Sequence, residues 1–129
     1  MDNGIARLLT FLLVVVTPLT PLAATTPDEL LTELGLELKR IRALKTDQPL
    51  SSDLQPNVKA LTNLNRTRIH SALGEPDACS ERKDGSCSNA REWRYLFHKL
   101  PTGWRGGGAE LVLLFDRNLV RDAKWTYSR

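Results

Sequence analysis

Two cysteines, two histidines and one glycine-rich stretch are the residues whose types and spacing invite a chemical reading. Cys79 and Cys87, the only cysteines, stand eight positions apart in ACSERKDGSC. Such a pair can be half a metal site, a redox couple or a covalent staple. A metal would need two further ligands, and this spacing is not the Cys-x-x-Cys of zinc and redox motifs. His70 and His98 are available but isolated in sequence. A disulfide is the leading reading, with free thiols or a chemical role as alternatives. Closing the loop contributes roughly 2.5 kcal/mol on a chain-entropy estimate.

Other polar residues offer less. Ser71 follows His70, but neighbours along a helix do not face each other. Glu92 with Asp116, or Glu110 with Asp122, would meet across paired strands, where ordinary surface pairing is the commoner outcome. The chain contains no Gly-x-x-x-x-Gly-Lys-Ser/Thr, His-Glu-x-x-His or Gly-x-Ser-x-Gly pattern. The expectation is therefore a non-enzyme without a catalytic, cofactor or metal site. The most unusual stretch is GWRGGG, Gly103 to Gly108. Consecutive glycines expose backbone donors, yet here they join two expected strands rather than open a helix, so the phosphate-loop logic does not apply. A flexible hairpin loop is the leading reading. The sharper alternative is a recognition loop using Trp104 and Arg105, residue types enriched in interface hot spots. Arg91, Arg94, Lys99 and Arg105 would form a positive rim around it.

The disulfide reading depends on the compartment, and that is written at the N-terminus. Ile5 to Val16 contains the apolar run LLTFLLVVV, and small residues follow at Ala23 and Ala24. The run is shorter than the roughly 20 residues that span a bilayer but suits a secretory signal. Residues 1–24 are read as a cleaved signal, with an uncleaved anchor or a buried N-terminal element as alternatives. LAAT resembles a bacterial lipoprotein processing box, but Thr25 stands where the lipid-bearing cysteine would be, so direct membrane anchoring is not expected after cleavage. An exported chain meets an oxidising compartment in which a disulfide persists.

Removing the signal leaves about 105 residues, enough for one domain, and the net charge stays at +3 because Asp2 and Arg7 leave together. That excess implies no nucleic-acid partner; it suits an acidic protein surface or ordinary solubility. Three Trp, three Phe and two Tyr must contribute heavily to so small a core.

These residues need elements to position them. TTPDEL opens a helix: Thr26 caps it, Pro27 fits its first turn, and Asp28 and Glu29 complement its positive end. Leu30, Leu34, Leu38, Ile41 and Leu44 form one apolar stripe, with Gly35 a weak point of about 1 kcal/mol. KTDQPLSSDLQPN reads as a linker that leaves this helix loosely docked. Val58, Leu61 and Leu64 fit a short helical turn. Asn65 then caps a second helix, Leu64 and Ile69 have staple spacing, and Gly74 with Pro76 stops it. Alternation of Trp93, Tyr95 and Phe97 predicts a strand over Glu92–Lys99, with His98 on the exposed face. AELVLLF predicts a strand whose Leu111, Leu113 and Phe115 share a face. Asp116 to Asn118 makes a turn in which Asn118 accepts positive φ, and Leu119–Tyr127 is the last strand. The fold class is α+β, two or three helices on a three-stranded antiparallel sheet with one wet face.

LNRTRIHSALGEPD, then WRYLF, a glycine-rich turn, ELVLLFD and VRDAKW together resemble the SmpA/OmlA (BamE-like) family over about residues 60–126. The family's threonine cap falls on Asn65, its apolar helix position on Ile69 and its helix stop on Leu73, Gly74 and Pro76. Asn63 replaces the usual leading glycine. The resemblance implies a BamE-like domain over residues 57–129 and leaves residues 25–56, the N-terminal helix and linker, unexplained. Some members are outer-membrane lipoproteins that assist β-barrel insertion; a related tandem architecture inhibits β-lactamases. The reading is a non-catalytic interaction module of the periplasm, or a secreted one, with an envelope or secreted protein as partner and Arg94, His98, Trp104 and Arg105 as the contact residues. An enzyme-binding inhibitor or effector, and a purely structural envelope protein, are the alternatives.

Overall fold

The computed structural model describes residues 25–129; the signal reading of residues 1–24 falls outside them. In chain order the elements are α1 (Pro27–Ala43), β1 (Leu50–Ser51), a 3-10 turn (Val58–Leu61), α2 (Arg66–Leu73), β2 (Ala78–Cys79), β3 (Glu92–Leu96), β4 (His98–Lys99), β5 (Ala109–Asp116) and β6 (Leu119–Tyr127). Two α-helices pack against two antiparallel sheets, one ordered β2-β3-β5-β6 and one formed by β1 and β4.

Helix α1 begins as its sequence dictates. Thr26 accepts from the Glu29 backbone N–H while Glu29 accepts from the Thr26 backbone N–H, a complete capping box. Leu30, Leu31, Leu34, Leu38 and Ile41 are buried. The stripe ends one residue early: Leu44 is the C-cap and 38% exposed. Lys99 Nζ donates to the Arg42 and Leu44 carbonyls (3.0 and 2.5 Å), satisfying acceptors that the helix end leaves free. Gly35 is a contact rather than a weakness, because a Cβ there would lie 2.8 Å from the Ala72 carbonyl oxygen of α2. Only glycine lets the two helices approach so closely.

The expected loose linker is held at several points. Leu50 and Ser51 pair with Lys99 and His98. Ser52 is buried, its Oγ donating to Glu37 (2.5 Å) and its N–H to the Phe97 carbonyl (2.8 Å). This also explains why the predicted Glu92–Lys99 strand divides. At Phe97 the N–H still reaches the β5 side (Ala109 O, 2.9 Å), while the carbonyl turns to Ser52. The sheet is therefore four-stranded with a separate ribbon, not a three-stranded meander. Short β1 and β2 had no alternation long enough to announce them.

The α2 cap and stop match expectation. Asn65 Oδ1 accepts from the Arg68 N–H (2.9 Å), and Gly74 adopts φ 77°. Trp93, Tyr95, Phe97, Leu111, Leu113, Phe115, Val120 and Ala123 face the helices and are buried. Trp93 meets Phe115 edge-on at 4.7 Å between centroids, and Phe97 lies 4.9 Å from Trp125. Tyr95 hydroxyl donates to the Gly74 carbonyl (2.7 Å), tying the helix stop to the sheet. The β5–β6 turn differs in detail: Arg117, not Asn118, takes positive φ (58°). Both turn carbonyls are held by α2's first residue, Arg117 O by Arg66 Nε (2.8 Å) and Asn118 O by Arg66 N (3.0 Å).

Candidate interaction surface

The four residues expected to share one contact face occupy two settings. Arg94 and His98 converge on Glu110 across the outer face of the sheet. Register places Glu110 between Leu96 of β3 and Thr126 of β6, and only 6% of it is exposed. Arg94 Nη1 donates to Glu110 (2.9 Å), and Arg94 Nη2 to Glu92 (2.9 Å). His98 Nε2 lies 3.3 Å from the second Glu110 oxygen. Burial opposes ionisation of Glu110, but Ser128, Arg94 and His98 around it more than offset that, holding its carboxyl below the usual range. Hydrogen bonds to Glu92 and then Glu110 push the Arg94 guanidinium above its ordinary value.

His98 is not the exposed residue that alternation predicts, since only 8% of its side chain meets solvent. The cause is the β1–β4 ribbon together with Gly108, whose backbone packs on the His98 Cβ. Its Nδ1 has no hydrogen-bond partner among the described residues.

Trp104 and Arg105 stand apart on the exposed loop between β4 and β5, with Trp104 48% exposed. A turn closes from the Trp104 N–H to the Pro101 carbonyl (3.1 Å), and Gly103 and Gly106 adopt φ 87° and 116°. The C-terminal stem of this loop is clamped, where the sequence suggested a flexible hairpin throughout. A Cβ on Gly107 would meet Ser128 Oγ and lie 2.8 Å from the Ser128 carbonyl oxygen; one on Gly108 would lie 2.6 Å from His98 Cβ and 2.7 Å from Ser51 Oγ. Ser128 N–H donates to Gly108 O (2.9 Å), and Ala109 N–H to Ser51 Oγ (2.9 Å). These last two glycines are there for close approach.

Cys79 and Cys87 are disulfide-bonded, with Cα atoms 5.8 Å apart. Between them Asp84 and Gly85 both take positive φ, and Lys83 and Ser86 exchange backbone hydrogen bonds (3.1 and 2.8 Å). Asp-Gly is a strong tight-turn signal, and it could have been read from the sequence. The loop has an inward purpose as well: the buried Cys87 carbonyl accepts from Trp93 Nε1 (2.7 Å).

The proposed positive rim does not assemble at one end. Lys99 is engaged with α1 carbonyls, Arg94 with carboxylates, and Arg91 lies near Phe115, whose N–H donates to the Arg91 carbonyl (2.8 Å). Neither carboxylate pair meets directly across the ladder, though Glu92 and Asp116 border one hollow. Glu92 stands opposite Leu114 and Asp116 opposite Leu119, while Asp122 binds Lys59 Nζ (2.6 Å). His70 faces Glu75 (3.0 Å) on the exposed side of α2. Among the described residues no three His, Cys, Asp or Glu side chains gather as a metal site, and no helix is long and apolar enough to cross a membrane.

Sequence reasoning missed Arg66. Its guanidinium lies 4.1 Å from the Phe115 ring centroid and 5.5 Å from that of Trp93. It donates to the carbonyls of Arg117 (2.8 Å), Ala90 (2.8 Å) and Ser88 (3.2 Å), and burial lowers its pKa from the usual arginine value. A single arginine in a first helical turn carries no pattern that announces such a role. No protein-family model, curated protein or solved structure matches this chain.

Proposed function

We propose that this protein is a non-catalytic, exported interaction module of the cell envelope, of BamE-like architecture, that binds a partner protein through the loop carrying Trp104 and Arg105. The observation that carries the reading is a half-exposed tryptophan on a loop whose stem is packed against Ser128, Ser51 and His98. The clamped C-terminal stem reduces the freedom that the loop has to lose on binding. Tryptophan supplies area and arginine directed charge, the combination found at interface anchors. The apolar run within Ile5–Val16 and the Cys79–Cys87 disulfide support export into an oxidising compartment. His98 serves the loop from beneath, as part of the surface on which Gly108 rests, while Arg94 is turned to Glu92 and Glu110.

The test is capture by the oxidised domain from the detergent-solubilised envelope of its source organism, with retained proteins identified by mass spectrometry and their affinity measured. Replacing Trp104 and Arg105 together by alanine should weaken capture by about thirtyfold or more. The unfolding midpoint should barely move, because both side chains are exposed. Capture at undiminished affinity would remove this loop from the interface.

A further inference from the structure

We infer that the cleft between the start of α2, the Asn89–Arg91 segment and the β5–β6 turn binds an oxyanion of the phosphate type. The cleft is lined by Arg66, Asn89, Arg91, Arg117 and Asn118, and encloses about 450 Å³. That is room for a phosphate group with part of the molecule that bears it. The lining offers three guanidinium groups and two carboxamides, with no carboxylate among them. Guanidinium forks match the oxygens of a phosphate bidentately, and carboxamide N–H groups add neutral donors.

Three observations converge on a ligand. Arg66 is already fixed by two aromatic faces and three carbonyls, so it needs no reorganisation on binding. Those carbonyls satisfy hydrogen bonds without cancelling charge, and Nη2 has no partner among the described residues. Arg91 and Arg117, like Arg82, Arg105, Arg121 and Arg129, form no ion pair with any described residue, but unlike those four they share one cleft with Arg66. Glu81, Glu92 and Asp116 border the neighbouring hollow, which Arg91 and Arg117 also line, but none comes within ion-pair distance of either. Gathered like charges without counter-charges raise the local positive potential.

The third observation is backbone strain. Arg117 holds φ 58°, a conformation that glycine or asparagine adopts far more readily. Glycine would relieve the turn, so the arginine there costs stability; Asn63, Glu81 and Asp84 also hold positive φ, but of these four only Arg117 lines the cleft. The site is independent of the Trp104 loop: the two lie at opposite ends of β5, roughly 24 Å apart by strand rise.

The test is an NMR titration of the domain with inorganic phosphate, against sodium chloride at matched ionic strength, following backbone amides and arginine Nε–H groups. Phosphate should give saturable shifts at Arg66, Asn89, Arg91, Arg117 and Asn118 that chloride does not reproduce. Arg91→Gln should weaken the binding at least tenfold. Arg117→Gly should weaken it similarly while raising the unfolding temperature, a combination that a merely structural turn residue would not produce. Shifts equal to those with chloride, a linear response, or affinity unchanged in both variants would overturn the site. A stability gain in Arg117→Gly with full affinity would overturn it as drawn, because the strained arginine would then serve no ligand.

Discussion

At one end of β5 a half-buried arginine is answered by carboxylates; at the other it is answered by carbonyl oxygens and aromatic faces. Arg94 binds Glu92 and Glu110, with His98 on the far side of Glu110, so the guanidinium meets its counter-charge within the cluster. Arg66 rests on Phe115 and Trp93 and donates to Ser88, Ala90 and Arg117. Arg94 is answered at all three nitrogens and Arg66 at Nε and Nη1 alone, and only the first meets counter-charge. A carbonyl dipole compensates a hydrogen bond without supplying a full counter-charge, so the Arg66 end keeps a field that can act on something outside the chain. The first cluster therefore reads as architecture, the second as architecture that remains available for recognition.

The largest effect should come from removing the Arg66 strut. Arg66→Ala strands three acceptors and uncovers two rings, and should cost about 3 kcal/mol in urea unfolding. Arg66→Lys should recover less than half, since a single ammonium cannot reproduce a planar fork. A loss below about 1 kcal/mol would mean that the carbonyls find water equally well, and the contrast between the two ends would fail.

Next in size is the disulfide, which holds the strand end at Cys79 to the segment that supplies the Ser88 and Ala90 carbonyls. Cys79→Ala with Cys87→Ala should cost roughly 2.5 kcal/mol. Hydrogen exchange should rise first at Ala90 and Trp93 rather than around Glu110. Uniform acceleration across both ends would show that the loop has no local role.

Glu110→Gln tests the other end and should cost about 2 kcal/mol at neutral pH. Its pH dependence has a defined sign. The folded carboxyl titrates below its unfolded value, so its contribution is complete above the unfolded value of about 4.3 and is lost as pH falls through the folded one. The deficit of the variant should therefore shrink on acidification below about pH 4. A deficit constant across the acid limb would place the stabilisation in packing rather than in charge.

Much of the architecture was legible where one element carries its own instructions. The Thr26 cap, the Asn65 cap, the Gly74 stop and the Leu119–Tyr127 strand all stand where residue type and period place them. Elements defined by a distant partner were not legible. Leu50–Ser51 is a strand only because His98 and Lys99 come to it, and the same ribbon buries His98 against its alternation. Gly35 looked like a flaw in a helix until Ala72 was found against it, and Gly107 and Gly108 looked like slack until Ser128 and Ser51 were. In each case the deciding neighbour lies far along the chain, where local patterns carry no information about approach.

The sequence by itself determined the two helices, the long strands and the inward aromatic face, because spacing and caps act over short separations. Tertiary structure alone decided which arginines are neutralised, which glycines are tight contacts and which residues share a cleft. Those properties depend on what folding brings within a few ångströms, and burial there changes what each charge and each missing Cβ is worth.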